Sequence, residues 1–217
     1  MFGINKLLKR EPLTEDERFE IIKKKQIDVN VVEYVKNRLL NLTIEIGGKR
    51  SGKALELMKK GLLEGWCWQT TETAIVFFND SDYITRGNLT FSPHKKYYHS
   101  WICFNFECEE YVFDPCLDLL CKKKLYDKIF EIEIMGKVSA KQVREELLSC
   151  IANHKPREES IFDKFLDEKT LKRQKDETHI CGDNNVYSPM YRNNTGYILE
   201  TKNGKIKRLV AHYYFNA

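Results

Sequence analysis

Three residues of the chain have the side-chain types of a cysteine-dependent catalytic triad: Cys67, His99 and Asp114. A thiolate is a nucleophile, a histidine can take and return a proton, and a carboxylate can orient the histidine ring. Cys67 precedes an apolar stretch with helical spacing, so it lies in the first turn of a predicted helix. A helix N-terminus favours a thiolate, and its amides can form an oxyanion hole. Taken singly, each residue is more typical of ordinary structure: a buried cysteine, a partly buried histidine and a turn-forming aspartate.

The spacing of His99 and Asp114 permits contact between their side chains. His99 begins a predicted strand and Asp114 ends the next one. In an antiparallel hairpin with a two- or four-residue loop, paired positions add up to an odd number, so these two positions project from one face of the sheet. If the numbers of paired residues add up to 213, His99 and Asp114 lie directly opposite each other. If they add up to 215, the two residues are diagonal neighbours, about 7 to 8 Å apart. A three-residue loop would turn one side chain to the other face.

The elements around these residues predict an α+β fold, because helical spacing dominates the first third of the chain and period-two segments follow. Gly87 predicts a kink or bulge within a strand, and Asn203-Gly204 predicts a hairpin turn. The predicted helices are Glu15 to Lys25, Asn30 to Leu42, Ser51 to Leu63, Trp68 to Phe78, Ser139 to Ile151 and a short one at Ile161 to Leu171. The predicted strands are Tyr83 to Phe91, His99 to Phe106, Tyr111 to Asp114, Ile129 to Ile134, Tyr197 to Thr201 and Ile206 to Phe215.

The segment from Gly65 to Pro115 resembles the catalytic core of the transglutaminase-like superfamily, a branch of the papain-like cysteine hydrolase fold. The matching stretches are Cys67 at a helix start, His99-Ser100-Trp101-Ile102, Tyr111-Val112-Phe113-Asp114-Pro115, and Arg86-Gly87 ahead of the histidine strand. The resemblance implies a papain-like, transglutaminase-like architecture with N-terminal helices packed on an antiparallel β-sheet. It also implies that Cys67 is the nucleophile, His99 the general base and acid, and Asp114 the residue that orients His99.

These residues predict a cysteine-dependent acyl-transfer enzyme, either a peptidase or amidase or a transglutaminase-like protein, that acts on a peptide or a glutamine-type amide. The backbone amide of Cys67 would be one oxyanion-hole donor, and the side chain of Gln69, Gln26 or Trp66 would be the second. The alternative is an inactive module of the same fold that binds peptides. The expected partner is a peptide or protein substrate, with no cofactor, no metal, no nucleic acid and no membrane.

Composition and charge bound the other possibilities. The 217 residues, 42% of them hydrophobic, suffice for one domain over 1–217. We divide it into a helical part (1–64), a catalytic core (65–135), a charged insertion (153–183) and a C-terminal hairpin (184–217). The net charge of +4 is spread over short basic runs, which favours solvated surfaces over a nucleic-acid footprint.

Seven cysteines without an export signal predict free thiols and a cytoplasmic location. The first ten residues become charged before the apolar core of a secretory signal could form. The longest apolar stretches, such as Thr73 to Phe78, are far shorter than the roughly 18 to 20 residues that a membrane span needs. A structural zinc site is the rival explanation of Cys103, Cys108, Cys116 and Cys121, but zinc sites favour Cys-x-x-Cys turns.

Overall fold

The computed structural model describes residues 13–23, 27–47, 50–63, 65–92, 95–152, 179–180, 186–187, 195–203 and 205–213. Its helices are α1 (Glu15–Lys23), α2 (Val29–Leu39), α3 (Ala54–Lys59), α4 (Cys67–Ile75), α5 (Lys123–Phe130) and α6 (Ala140–Ala152). Its strands are β1 (Leu42–Ile46), β2 (Arg50–Lys53), β3 (Tyr83–Ser92), β4 (Lys95–Phe106), β5 (Glu109–Asp114), β6 (Leu119–Lys122), β7 (Glu133–Ser139), β8 (His179–Ile180), β9 (Val186–Tyr187), β10 (Thr195–Lys202) and β11 (Lys205–Tyr213). The fold is mixed α+β.

A five-stranded antiparallel sheet in the order β6-β5-β4-β3-β7 carries His99 and Asp114. Alternate residues of its central strand enter different cores. Ile102 and Phe104 pack with residues of α2, α3 and α4, whereas Trp101 and Cys103 pack with residues of α1 and α5. Helices therefore cover both faces of the sheet, which explains why β4 is apolar on both sides.

A second sheet, in the order β10-β11-β1-β2, borders the first core. Its C-terminal hairpin β10–β11 turns at Asn203, whose φ is 51°. Strand β1 pairs with β11 in parallel, while the other pairings in this sheet are antiparallel. Helices α2 and α3 and strand β11 therefore meet in one core.

Helices α1 and α6 both begin with reciprocal side-chain caps. Thr14 and Glu17 exchange hydrogen bonds at the start of α1, and Ser139 and Gln142 do so at the start of α6. These reciprocal contacts are capping boxes, which satisfy amides that a helix leaves open. Gly87 lies at the expected irregularity, where the register between β3 and β7 shifts.

Three predicted elements differ from the structure. Helix α2 ends at Leu39, and Leu42–Ile46 forms a strand because its side chains alternate between buried and partly exposed positions. Residues 50–53 form β2, so the third helix begins at Ala54 rather than near Ser51. The strand predicted over Ile129 to Ile134 is wrong, since this stretch spans the end of α5, a left-handed Glu131 (φ 47°) and the start of β7. The helix predicted over Ile161 to Leu171 lies outside the described residues.

Candidate active site

Cys67 is the first residue of α4, where the sequence places it. The amides of a first helical turn have no acceptor within the helix itself. The first turn, Cys67-Trp68-Gln69, contains no carboxylate that would compete for these donors. Cys67 is a free cysteine and is partly exposed. Its sulfur therefore lies at the positive end of the helix, where a negative charge is stabilised.

His99 and Asp114 are in direct contact. Strands β4 and β5 are joined by a two-residue turn at Glu107 and Cys108, with φ values of 46° and 64°. Paired positions in this hairpin add up to 215, so His99 is diagonal to Asp114. The Nε2 atom of His99 lies 2.7 Å from Oδ2 of Asp114. Of the two registers that the spacing allows, the diagonal one is present.

Asp114 is fully buried, and its carboxylate is surrounded by donors. The backbone amides of Cys116 and Leu117 each donate to Oδ1 at 3.1 Å. The hydroxyl of Tyr126 donates to Oδ2 at 2.8 Å, beside the His99 contact. Four hydrogen-bonding groups thus offset the cost of burying this carboxylate.

His99 contacts the side chains of both Asp114 and Cys67. Burial lowers the pKa of His99, but the charges of Asp114 and Cys67, together with hydrogen bonds to both side chains, raise it to about 10. Because Nε2 is engaged by Asp114, Nδ1 is the ring nitrogen left for the Cys67 sulfur. The geometry therefore places the His99 ring between the Cys67 side chain and the Asp114 carboxyl group.

Three contacts fix α4 against the sheet. The Arg86 guanidinium of β3 forms a buried ion pair with Glu72 of α4, with Nη2 and Oε1 2.6 Å apart, and lies 4.3 Å from the centre of the Trp68 ring. The Thr71 hydroxyl lies 2.8 Å from the hydroxyl of Ser100, the residue after His99. The helix that carries the thiol is thereby tied to the strand that carries the histidine.

A second thiol belongs to the surroundings of the site. Cys116 donates from Sγ to the carbonyl oxygen of Leu63 at 3.0 Å. Burial and the nearby charges of Cys67 and Asp114 raise the pKa of Cys116 well above its ordinary value. Cys116 therefore stays a neutral thiol next to the proposed nucleophile.

The three candidates for a second oxyanion donor lie in different settings. Trp66 is buried in the core beneath the start of α4. Gln69 is partly exposed in the first turn of that helix. Gln26 lies outside the described residues.

Sequence reasoning missed two residues of the site, Glu72 and Tyr126. A signal for Glu72 exists, since it is the only charged residue of α4 and a carboxylate in such a helix needs a partner. Tyr126 carries no comparable signal, because its helix α5 is not predicted and a tyrosine in an amphipathic helix is usually explained by packing alone.

Within the described ranges, no three His, Cys, Asp or Glu side chains are grouped as metal ligands. None of the described helices combines the length and apolarity that a membrane crossing requires. No protein-family model, no curated protein and no solved structure matches this chain. The contacts of Cys67, His99 and Asp114 are therefore the observations that bear on function.

Proposed function

We propose that this protein is a cysteine-dependent acyl-transfer enzyme of transglutaminase-like, papain-like architecture. Its substrate would be a peptide or a glutamine-type amide. The observation that carries the proposal is the 2.7 Å contact between His99 and Asp114. The same histidine also contacts Cys67, which lies at the start of α4. Each of these residues is unremarkable alone, but their contact provides the nucleophile, base and orienting group that such chemistry needs.

In the proposed reaction, the Cys67 thiolate attacks the carbonyl carbon of the amide, and the oxygen takes up the negative charge near the first-turn amides. The His99 imidazolium then gives its proton to the leaving amine as the carbon–nitrogen bond breaks, which leaves a thioester on Cys67. Neutral His99 next takes a proton from a water molecule, which attacks the thioester and releases the acid. Thiolate and imidazolium are thereby restored, and Asp114 orients the ring throughout.

Hydrolysis is the proposed default outcome, since water needs no binding groove of its own. A second amine could take the place of water and would give transamidation by the same steps. The two outcomes differ only in the acceptor that resolves the thioester.

The first test is selective alkylation of the folded chain by iodoacetamide at pH 6, followed cysteine by cysteine with peptide mass spectrometry. An ordinary exposed thiol is only about 0.3% ionised at this pH, so a resting thiolate at Cys67 is expected to react on the order of tenfold faster or more. Burial has the largest effect on Cys103 and Cys121, whose pKa values are raised to about 11 and about 12, so both thiols are expected to react slowly.

Two variants make this test specific. His99→Gln is expected to lower the alkylation rate of Cys67 toward that of the exposed Cys108, because the imidazolium is lost and only the helix N-terminus still stabilises the thiolate. Cys108→Ser is the matched control, since it removes an exposed thiol in the turn between β4 and β5 and is expected to leave Cys67 unchanged. If all the thiols of the folded protein were alkylated slowly, the proposed enzyme activity would be contradicted. An inactive peptide-binding module would then be favoured.

A second test looks for turnover. The protein is incubated with denatured protein substrates and a biotinylated primary amine, and the products are searched for cleaved peptides, deamidated glutamine and incorporated amine. We expect cleavage or deamidation that disappears in Cys67→Ala. Amine incorporation above hydrolysis would instead assign the transglutaminase reaction.

A further inference from the structure

Tyr126 contacts the Asp114 carboxylate of the proposed triad. It lies on α5 and is fully buried. Its ring packs against Trp101 and Phe130, with centroid distances of 5.6 and 4.8 Å. A phenylalanine could provide this packing, but the Tyr126 hydroxyl donates to Oδ2 of Asp114 at 2.8 Å, the same oxygen that His99 contacts.

We propose that Tyr126 is a positioning residue whose hydroxyl stabilises the carboxylate form of Asp114 and directs its Oδ2 atom toward His99. The inference rests on the proposed function, because it concerns the group that orients the base. Oδ1 is held by two backbone amides, so Oδ2 is the atom whose position depends on side chains. Without the hydroxyl, the buried carboxylate would lose a donor, and its protonated form would be favoured.

Most of the titratable groups around Asp114 stay neutral, which simplifies a measurement of its titration. The groups that face it are His99 from β4, Tyr126 from α5, Cys121 from β6 and Cys116 just after β5. Burial, followed by the charge of Asp114, raises the pKa of Tyr126 well above its ordinary value, so the phenol remains a donor. The pKa values of Cys116 and Cys121 are also raised, so both stay neutral.

Cys67 is the remaining titratable group of the site and contacts His99 from α4. Protonation of Asp114 or of Cys67 would each remove a negative charge from one side of His99. Both would appear on the acid limb of Cys67 reactivity.

The test is Tyr126→Phe in the full chain, with Tyr34→Phe as the matched control. Tyr34 also uses its hydroxyl in a hydrogen bond, accepting from Asn79 at 3.0 Å, but it lies on α2 in the other core. The acid limb of Cys67 alkylation is expected to move up by about one pH unit in Tyr126→Phe, which is about a tenfold loss of rate on that limb. Tyr34→Phe is expected to retain the wild-type profile.

A second readout separates this inference from the proposed function. The carbon-13 signal of the Asp114 carboxyl, assigned with Asp114→Asn, reports protonation whether or not Cys67 is reactive. Its titration midpoint is expected to rise by about one pH unit in Tyr126→Phe. An unreactive wild-type Cys67 would refute the enzyme, whereas an unchanged Asp114 titration in folded Tyr126→Phe would refute the role of Tyr126.

Fluorination covers the case in which Tyr126→Phe does not fold. 3-Fluorotyrosine introduced at position 126 retains the ring and the hydroxyl and is a stronger hydrogen-bond donor. It is expected to shift the Asp114 titration to lower pH, opposite to the effect of phenylalanine. No shift in that direction would overturn the inference.

Discussion

Arg86→Met is expected to destabilise the fold strongly, because it removes one partner of a buried ion pair. The Arg86 and Glu72 side chains are 1% and 9% exposed, and the charged atoms lie 2.6 Å apart. Removing one partner of such a pair costs about 3 to 5 kcal/mol, mostly because the other charge stays buried. This range includes the cost of losing the contact with the Trp68 ring, whose centre lies 4.3 Å from the guanidinium carbon. Methionine is a fair replacement since it fills much of the same volume.

The free energy of unfolding is measured by urea denaturation, with far-ultraviolet circular dichroism and linear extrapolation. Two further variants, Glu72→Leu and the double variant Arg86→Met/Glu72→Leu, complete a double-mutant cycle. We expect the double variant to be at least about 2 kcal/mol more stable than the sum of the single losses predicts, because it leaves no lone buried charge.

Arg208→Met is the matched control. Arg208 pairs with Glu200 at 3.0 Å, but these side chains are 53% and 60% exposed. An exposed pair contributes about 0 to 1 kcal/mol, so this variant is expected to remain near the wild type. If Arg86→Met cost no more than Arg208→Met, or if the cycle were additive, the tie between α4 and the sheet would not depend on this ion pair.

Two further changes probe the neighbourhood of His99. In Asp114→Asn, the His99 titration, measured from imidazole nitrogen-15 shifts, is expected to fall below the wild-type pKa of about 10, because the largest charge opposing its burial is lost. Because the pKa of His99 is raised on folding, the stability that charged His99 contributes is present below about pH 6.5 and is lost as the pH rises through about 10. In Asp114→Asn, the free energy of unfolding from urea denaturation should not show this decrease with pH. An unchanged pH dependence in the variant would contradict the prediction. Gly87→Ala would place a Cβ in a clash with the Glu133 carbonyl oxygen of β7. This overpacking should cost about 1 to 3 kcal/mol in thermal unfolding, whereas a neutral effect would mean that β7 shifts freely.

The contact between His99 and Asp114 could be predicted from the sequence only up to a choice of register. The parity of the spacing establishes that both side chains share a face, but the choice between opposite and diagonal depends on the turn. That turn is formed by Glu107 and Cys108, both with positive φ. Neither is a glycine or asparagine, the residues that normally identify such a turn, so its length could not be deduced from residue types.

The N-terminal strands were missed for a different reason. Leu42–Ile46 has the period-two pattern of a strand, but it follows a helix directly and its parallel partner β11 lies near the other end of the chain. Local propensity does not reveal such a partner, because the pairing is decided by burial in a core that both ends of the chain complete. The strand β4, by contrast, could be predicted because its residues are apolar on both faces.

The relative position of thiol and imidazole is set by a short path through the chain. Ser100 is bonded covalently to His99, and its hydroxyl meets that of Thr71 at 2.8 Å. The Thr71 hydroxyl lies 2.7 Å from the carbonyl oxygen of Cys67, so Thr71 can donate to Cys67 while Ser100 donates to Thr71. Ser100 and Thr71 are fully buried, so water does not compete for these bonds. The proposed nucleophile and the proposed base are therefore coupled through buried neighbours, which is the arrangement that a preorganised thiolate–imidazolium pair requires.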